Sequence, residues 1–139
     1  MLEKEMLSKK TWAVIGVTQD PDKYANMIYR RLRKMGFQVY AVNPKYEEAE
    51  GDRCYASLRD LPVIPEVINM VVSPKRGGDY LKEASELGIR YVWFQPGTED
   101  ASTDELSAEL GLEYVKSCVL VVTGWFDPGH NQFPGQGLV

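Results

Sequence analysis

At 139 residues, 44% hydrophobic and 26% charged, the chain has the make-up of one soluble domain with a single core. Its formal net charge of -4 excludes a general nucleic-acid binder, which needs a basic field, but leaves room for a local basic site. Its two cysteines, Cys54 and Cys118, lack C-x-x-C spacing, which argues against a disulfide framework and a cysteine zinc site.

Residues 1–10, MLEKEMLSKK, mix charges and lack the apolar centre of a signal peptide. No apolar run reaches the roughly 18 to 20 residues of a membrane span. A cytoplasmic protein without a membrane segment is expected, with 1–10 an N-terminal extension or helix. The run TWAVIGV (11–17) is continuously apolar, the pattern of a strand buried on both faces. YANMIYRRLRKMG (24–36) is amphipathic at helical spacing, and Gly36 is placed to stop it. FQVYAVN (37–43) reads as a second strand and SLRDL (57–61) as a short helical turn before Pro62.

EVINMVVS (66–73) is a third strand, halted by Pro74, and GGDYLKEASELG (77–88) a helix. IRYVWFQ (89–95) is a fourth strand ending at Pro96-Gly97. STDELSAELG (102–111) is a helix with Ser102 as N-cap and Glu105 at capping-box spacing. LEYVKSCVLVV (112–122) is a fifth strand, or a strand with an extension. Strands alternating with helices of about ten residues imply βαβ units and a mainly parallel five-stranded sheet with helices on both faces. The domain spans 1–124, and the Gly- and Pro-rich 125–139 is an irregular tail. By analogy with dinucleotide-binding folds the expected strand order is 3-2-1-4-5, with ligands beyond the carboxyl ends of the strands.

The strand exits therefore carry the functional signals. At the first, GVTQDPDKYAN (16–26), Gly16 allows a tight turn and Thr18 offers a hydroxyl where a helix begins. A helix N-terminus favours phosphate; Lys23 adds a charge and Asn26 a donor. The G-x-G-x-x-G fingerprint is absent, and the bland alternative is a plain turn capped by Thr18. The second exit, VYAVNPKYEEAEG (39–51), delivers Lys45 where many such folds place an acid on a free ribose diol. A lysine suits a phosphorylated ribose instead; NADP and coenzyme A both fit, and a solvated lysine is the bland alternative. At the third exit Ser73-Pro74 turns the chain, and proline favours an apolar wall. At the fourth, Gln95 is a candidate partner for a ligand amide or base.

Taken together, AVIGVTQDPDKYAN, GFQVYAVNPKYEEAEGDRCYASLRDLP, VVSPK and YVWFQPG resemble the small stand-alone CoA-binding proteins, whose domain is similar to the N-terminal domain of the succinyl-CoA synthetase alpha subunit. The resemblance covers about residues 12–118, and VNPKYEE-x-x-G-x-x-CY-x-S-x-x-D-x-P is its most specific part. It implies a Rossmann-like doubly wound fold holding coenzyme A or an acyl-CoA. By position it implies Gly16, Val17 and Thr18 at the diphosphate with Lys23 and Asn26 nearby. It puts Asn43, Pro44 and Lys45 at the 3′-phosphate, and Ser73, Pro74 and Gln95 along the remainder.

No His/Cys/Asp set has metal spacing. His130 stands alone in the tail, so a CoA-binding module without catalysis of its own is expected. The alternatives are a separately encoded subunit of an acyl-CoA ligase, which predicts a partner chain, an NADP-binding oxidoreductase or sensor, and an interaction protein that has lost its ligand. For the apolar tail around Trp125 and Phe126 three arrangements are open: covering the sheet edge, burial in a homodimer contact, or folding back on the domain.

Overall fold

A computed structural model describes residues 2–124; Trp125, Phe126 and His130, singled out above, lie outside the described residues. The elements in chain order are α1 (Leu2–Leu7), β1 (Thr11–Ile15), α2 (Tyr24–Lys34), β2 (Gln38–Val42), β3 (Glu48–Ala49) and β4 (Asp52–Tyr55). After a 3-10 turn (Leu58–Asp60) come β5 (Val67–Met70), α3 (Pro74–Glu86), β6 (Tyr91–Phe94), α4 (Ala101–Glu109), β7 (Glu113–Lys116) and α5 (Val119–Val122).

Seven strands form one sheet in the order β3-β4-β2-β1-β5-β6-β7. All neighbours are parallel except the β3–β4 hairpin. The α/β class holds, with two strands more than the five expected. The expected order fails at one place: the third predicted strand, now β5, pairs with β1 (Trp12↔Val67, Ile15↔Met70) rather than lying outside β2. The outer edge of β2 is taken by β4, in the register Ala41↔Cys54 and Val42↔Tyr55. Burial explains the choice. Every residue of β5 is buried, whereas β4 buries only Cys54 fully. A strand apolar at three of its four positions, with its one polar side chain (Asn69) hydrogen-bonded inside, gains most in the sheet centre, and a polar one is tolerated at an edge.

Side chains alternate between two cores. Trp12, Val14, Val67 and Trp93 face the helices α1, α2 and α5. Ala13, Ile15, Ile68, Met70 and Phe94 face α3 and the Leu58 turn. Trp93 and Phe94 are both core residues.

Helix ends differ from expectation in ways that matter below. α3 starts at Pro74, three residues before the predicted helix, because proline's fixed φ and missing N–H suit the first helical position. The α4 cap is Asp100, not Ser102: its carboxylate accepts from Thr103 N while the Thr103 hydroxyl accepts from Asp100 N, a full capping box. Ser102 instead donates to the same carboxylate, and these donors hold it below the usual carboxylate range. The predicted last strand stops at Lys116, and 119–122 turns into α5.

Candidate functional site

The chain runs β1, β2 and β4 to one side and returns to β5 beside β1, so the strand order reverses between β1 and β5. Crevices at such a point open toward ligands. Here the β1 and β5 exits touch, Val71 N donating to Ile15 O at 3.0 Å, while on the other side Gly16 N donates to Val42 O of β2 at 2.8 Å. Gly16 has φ +113, and a Cβ on it would sit 3.2 Å from Val71 O and from Val72 Cγ1. Only a residue without a side chain lets the two backbones meet so closely.

Both helices that start at this point lack a side-chain cap. At α2 the N-cap is Lys23, and at α3 it is Ser73. Neither helix has an acid in its first turn, so the partial positive charge at each end is uncompensated. α4, by contrast, carries its capping box. Among the described residues the side chains of Lys23 and Lys45 have no ion-pair or hydrogen-bond partner, a state they share with Lys4, Lys10, Lys34, Lys75 and Lys82, while Arg30, Arg33, Arg59, Arg90 and Lys116 pair with carboxylates. What sets Lys23 and Lys45 apart is their place at strand exits. Two unpartnered cations and two uncapped helix ends make a donor set suited to a polyanion.

The other expected site residues hold the exits in shape. Asn43 is buried; its Nδ2 donates to Val17 O at 2.9 Å and its Oδ1 accepts from Lys45 N at 3.0 Å. That Asx turn joins the first exit to the second and sends the Lys45 side chain outward. Pro44 and Lys45 are exposed and line an open depression of about 1360 Å³ with Gln19, Arg53, Cys54 and Tyr55. The same depression carries Glu47, Glu48, Asp52 and Asp60, so its charge is mixed. Asp52 is neutralised in part: Tyr29 donates to it at 2.6 Å and Arg33 at 2.7 Å, and the Tyr29 bond chiefly holds its carboxyl below the ordinary value.

Thr18 and Asn26 are bound to each other. Asn26 is fully buried; its Oδ1 accepts from Thr18 N and from Thr18 Oγ1, each at 2.9 Å. Its Nδ2 donates to Thr18 O at 2.7 Å. The first exit therefore consists of a side-chain-stapled loop beside the free α2 end, with Val17 buried beneath it.

Gln95 is 1% exposed and lies in a buried chain: its Nε2 donates to Asn69 Oδ1 at 3.1 Å and its Oε1 accepts from Val119 N at 3.2 Å. It anchors the start of α5 to the sheet. Gln95→Leu should leave a buried carbonyl and a buried N–H unpaired, at about 1–3 kcal/mol each. We expect a loss of about 2–4 kcal/mol in urea denaturation; a loss below 1 kcal/mol would show that these bonds are dispensable.

Cys54 is buried, its thiol donates weakly to Asn43 O at 3.6 Å, and burial pushes its pKa up. That is the setting of an inert structural thiol rather than a nucleophile. What the sequence reading passed over is the hairpin β3–β4. Its turn, Glu50-Gly51, has φ 55 and 79, the two positive values of a type I′ turn. The one available sign is Gly51, placed between Glu48-Ala49 and Asp52–Tyr55 where a two-residue turn needs it.

A family model described as a CoA binding domain matches residues 10–124. The ADP-forming acetate–CoA ligase II subunit alpha of Pyrococcus furiosus is 33% identical over 81 residues, 58% of this chain and 18% of that one. The chain thus spans less than a fifth of that relative. An uncharacterized Bacillus subtilis protein is 25% identical over 109 residues and matches 81% of its own length. Among solved structures, a conserved hypothetical protein of Pyrococcus furiosus is 41% identical with a TM-score of 0.75, over 81% of this chain and 98% of that one. A Thermus thermophilus protein is 30% identical with a TM-score of 0.80, over 89% and 95%. Among the described residues no helix is long and apolar enough to cross a membrane.

Proposed function

The chain belongs to the CoA binding domain family, and on that premise we propose that it binds coenzyme A or an acyl-CoA across the carboxyl edge of the sheet, in the cytoplasm, without catalysis of its own. The observation that carries this reading is the pair of uncapped helix ends where the strand order reverses, with Lys23 at the α2 end and Lys45 exposed at the exit of the neighbouring strand β2. The diphosphate lies at the first exit, against Gly16, Val17 and Thr18, the α2 N-terminus and Lys23. The ribose 3′-phosphate lies at Lys45, with Pro44 beside it and Asn43 fixing the turn. The pantetheine arm runs past Ser73 and Pro74. Asn26 and Gln95 act as supports: both are buried, with their amides engaged.

Calorimetric titration of ligand-stripped protein with CoA, dephospho-CoA, NAD and NADP tests this reading. CoA should bind tightest, and dephospho-CoA at least about tenfold more weakly, a difference of 1.4 kcal/mol. Tighter binding of NADP would replace the reading with a redox one.

A second reading is favoured by the 33% identity to a ligase alpha subunit: the chain is the CoA-holding part of an ADP-forming acyl-CoA ligase whose other domains lie on a partner. Acyl-CoA formation from acid, ATP and CoA on adding such a partner, and none without it, would support that reading.

A further inference from the structure

Among the described residues, Glu50 is the one non-glycine with a positive φ, at 55. The left-handed region is unfavourable for a residue with a Cβ and is normally left to Gly, Asn or Asp. Strain kept in a tight turn invites a search for what the side chain does. The Glu50 carboxylate leaves the hairpin and turns inward, with its side chain 11% exposed. Its Oε2 accepts from Asn26 Nδ2 at 2.8 Å and from Arg30 at 2.9 Å.

The first of those contacts has a direct consequence. An amide side chain can face either way, and its neighbours decide. The Glu50 carboxylate and the Thr18 carbonyl only accept, so between them they take the two N–H groups of Asn26 Nδ2. Oδ1 is then turned to Thr18, where the N–H and the O–H both donate to it. Were the amide reversed, Nδ2 would face the Thr18 N–H and the loop bond would be lost. Arg30, on the same carboxylate, also donates to Pro21 O in that loop.

We propose that Glu50 is a positioning residue for the first strand exit, acting through the orientation of the Asn26 amide. It holds the Thr18 loop in one conformation beside the α2 N-terminus, so that ordering the loop is already done when an anion arrives. The role in binding rests on the reading of this exit as the diphosphate end of a CoA site. The role in holding the loop does not.

The experiment uses Glu50→Gly, because glycine suits φ 55 and keeps the turn while removing the carboxylate. Glu50→Asn, which also tolerates that conformation, serves if the glycine variant is unstable. Amide hydrogen exchange of the ligand-free protein should show Thr18 N–H exchanging at least about tenfold faster in the variant, with Gly16 N–H unchanged. Affinities for CoA and dephospho-CoA should fall by a common factor of about ten, since the 3′-phosphate is not involved. Glu50→Gln, which keeps an acceptor at the same reach, should restore both. Adding Glu50→Gly to Asn26→Ala should have a clearly smaller effect than it has in the wild-type chain, the remainder passing through Arg30.

Unchanged Thr18 protection overturns the positioning role whatever the ligand. Lost protection with unchanged CoA affinity overturns the role in binding. An undiminished Glu50 effect in the Asn26→Ala background overturns the route through the amide. If the wild-type protein binds neither ligand, the CoA reading falls, and Thr18 exchange still decides whether Glu50 holds the loop.

Discussion

Lys45→Glu should lower CoA affinity by at least about tenfold while leaving dephospho-CoA affinity nearly unchanged, so that the preference for the 3′-phosphate disappears. The phosphate carries about -1.5 to -2 charges near neutral pH, and the variant places a carboxylate where an unpartnered ammonium stood. The lysine is exposed, so each charge is screened by water and salt, which keeps the effect near one to two powers of ten. The fold should not change. The Asn43–Lys45 turn is held by the Lys45 backbone N–H, which glutamate also supplies, and no described residue loses a partner. Two further readings sharpen the test. The CoA-to-dephospho-CoA ratio of the wild type should shrink as salt rises, and Lys45→Ala should give an intermediate ratio. An unchanged ratio in the glutamate variant would place the 3′-phosphate elsewhere and leave Lys45 as a solvated turn residue.

The features that make that test possible were unevenly legible in the sequence. Strands β1, β5 and β6 are short, mainly apolar runs cut off by Gly or Pro, so their existence as buried strands is legible although the neighbour of β5 is not. The helix over 24–34 announces itself by its apolar stripe and Gly36. Lys45 stood out because it follows Asn43-Pro44 at a strand end, where backbone chemistry fixes the turn. The hairpin β3–β4 was hidden for the opposite reason. Edge strands of two and four residues, rich in Glu, Asp and Arg, carry almost no period-2 signal, and their pairing is set by backbone bonds such as Cys54 N to Glu47 O. The expected position of β5 beyond β2 comes from analogy with dinucleotide-binding folds; in this chain β4 fills that place and β5 pairs with β1.

The roles of Asn26 and Gln95 could not be read for a different reason. Both are polar residues at strand exits, as ligand-binding groups are, and a sequence does not say whether an amide faces a cleft or a core. Burial decides, and burial is a property of the whole fold. Glu50 is the sharpest case: nothing local marks a glutamate in a charged run as the one that reaches across to Asn26. The distinction matters for mutagenesis, because Lys45 variants change affinity in a folded protein, whereas Gln95 variants first change the fold.

Gly16→Ala should destabilise the protein by about 2–4 kcal/mol in urea denaturation. Two costs combine. The backbone at Gly16 has φ +113, a conformation that a residue with a Cβ adopts only at about 1–3 kcal/mol. The new methyl also meets Val71 O at 3.2 Å and Val72 Cγ1 at 3.2 Å. The carbonyl belongs to the sheet edge, so relief requires β1 and β5 to move apart at their exits, and crowding of a packed site adds about 1 kcal/mol or more. Gly36→Ala isolates the first cost. Gly36 has φ +96, and a Cβ there meets nothing within 4 Å; its loss should be about 1–2 kcal/mol. The difference between the variants measures the contact between the two exits. Since the separation of β1 and β5 shapes the crevice at the switch point, the alanine at Gly16 should also weaken CoA binding in the fraction that stays folded, and the one at Gly36 should not. Equal losses of stability in the two variants would mean that the exits have room to spare, and the close approach at Gly16 would then have no part in shaping the site.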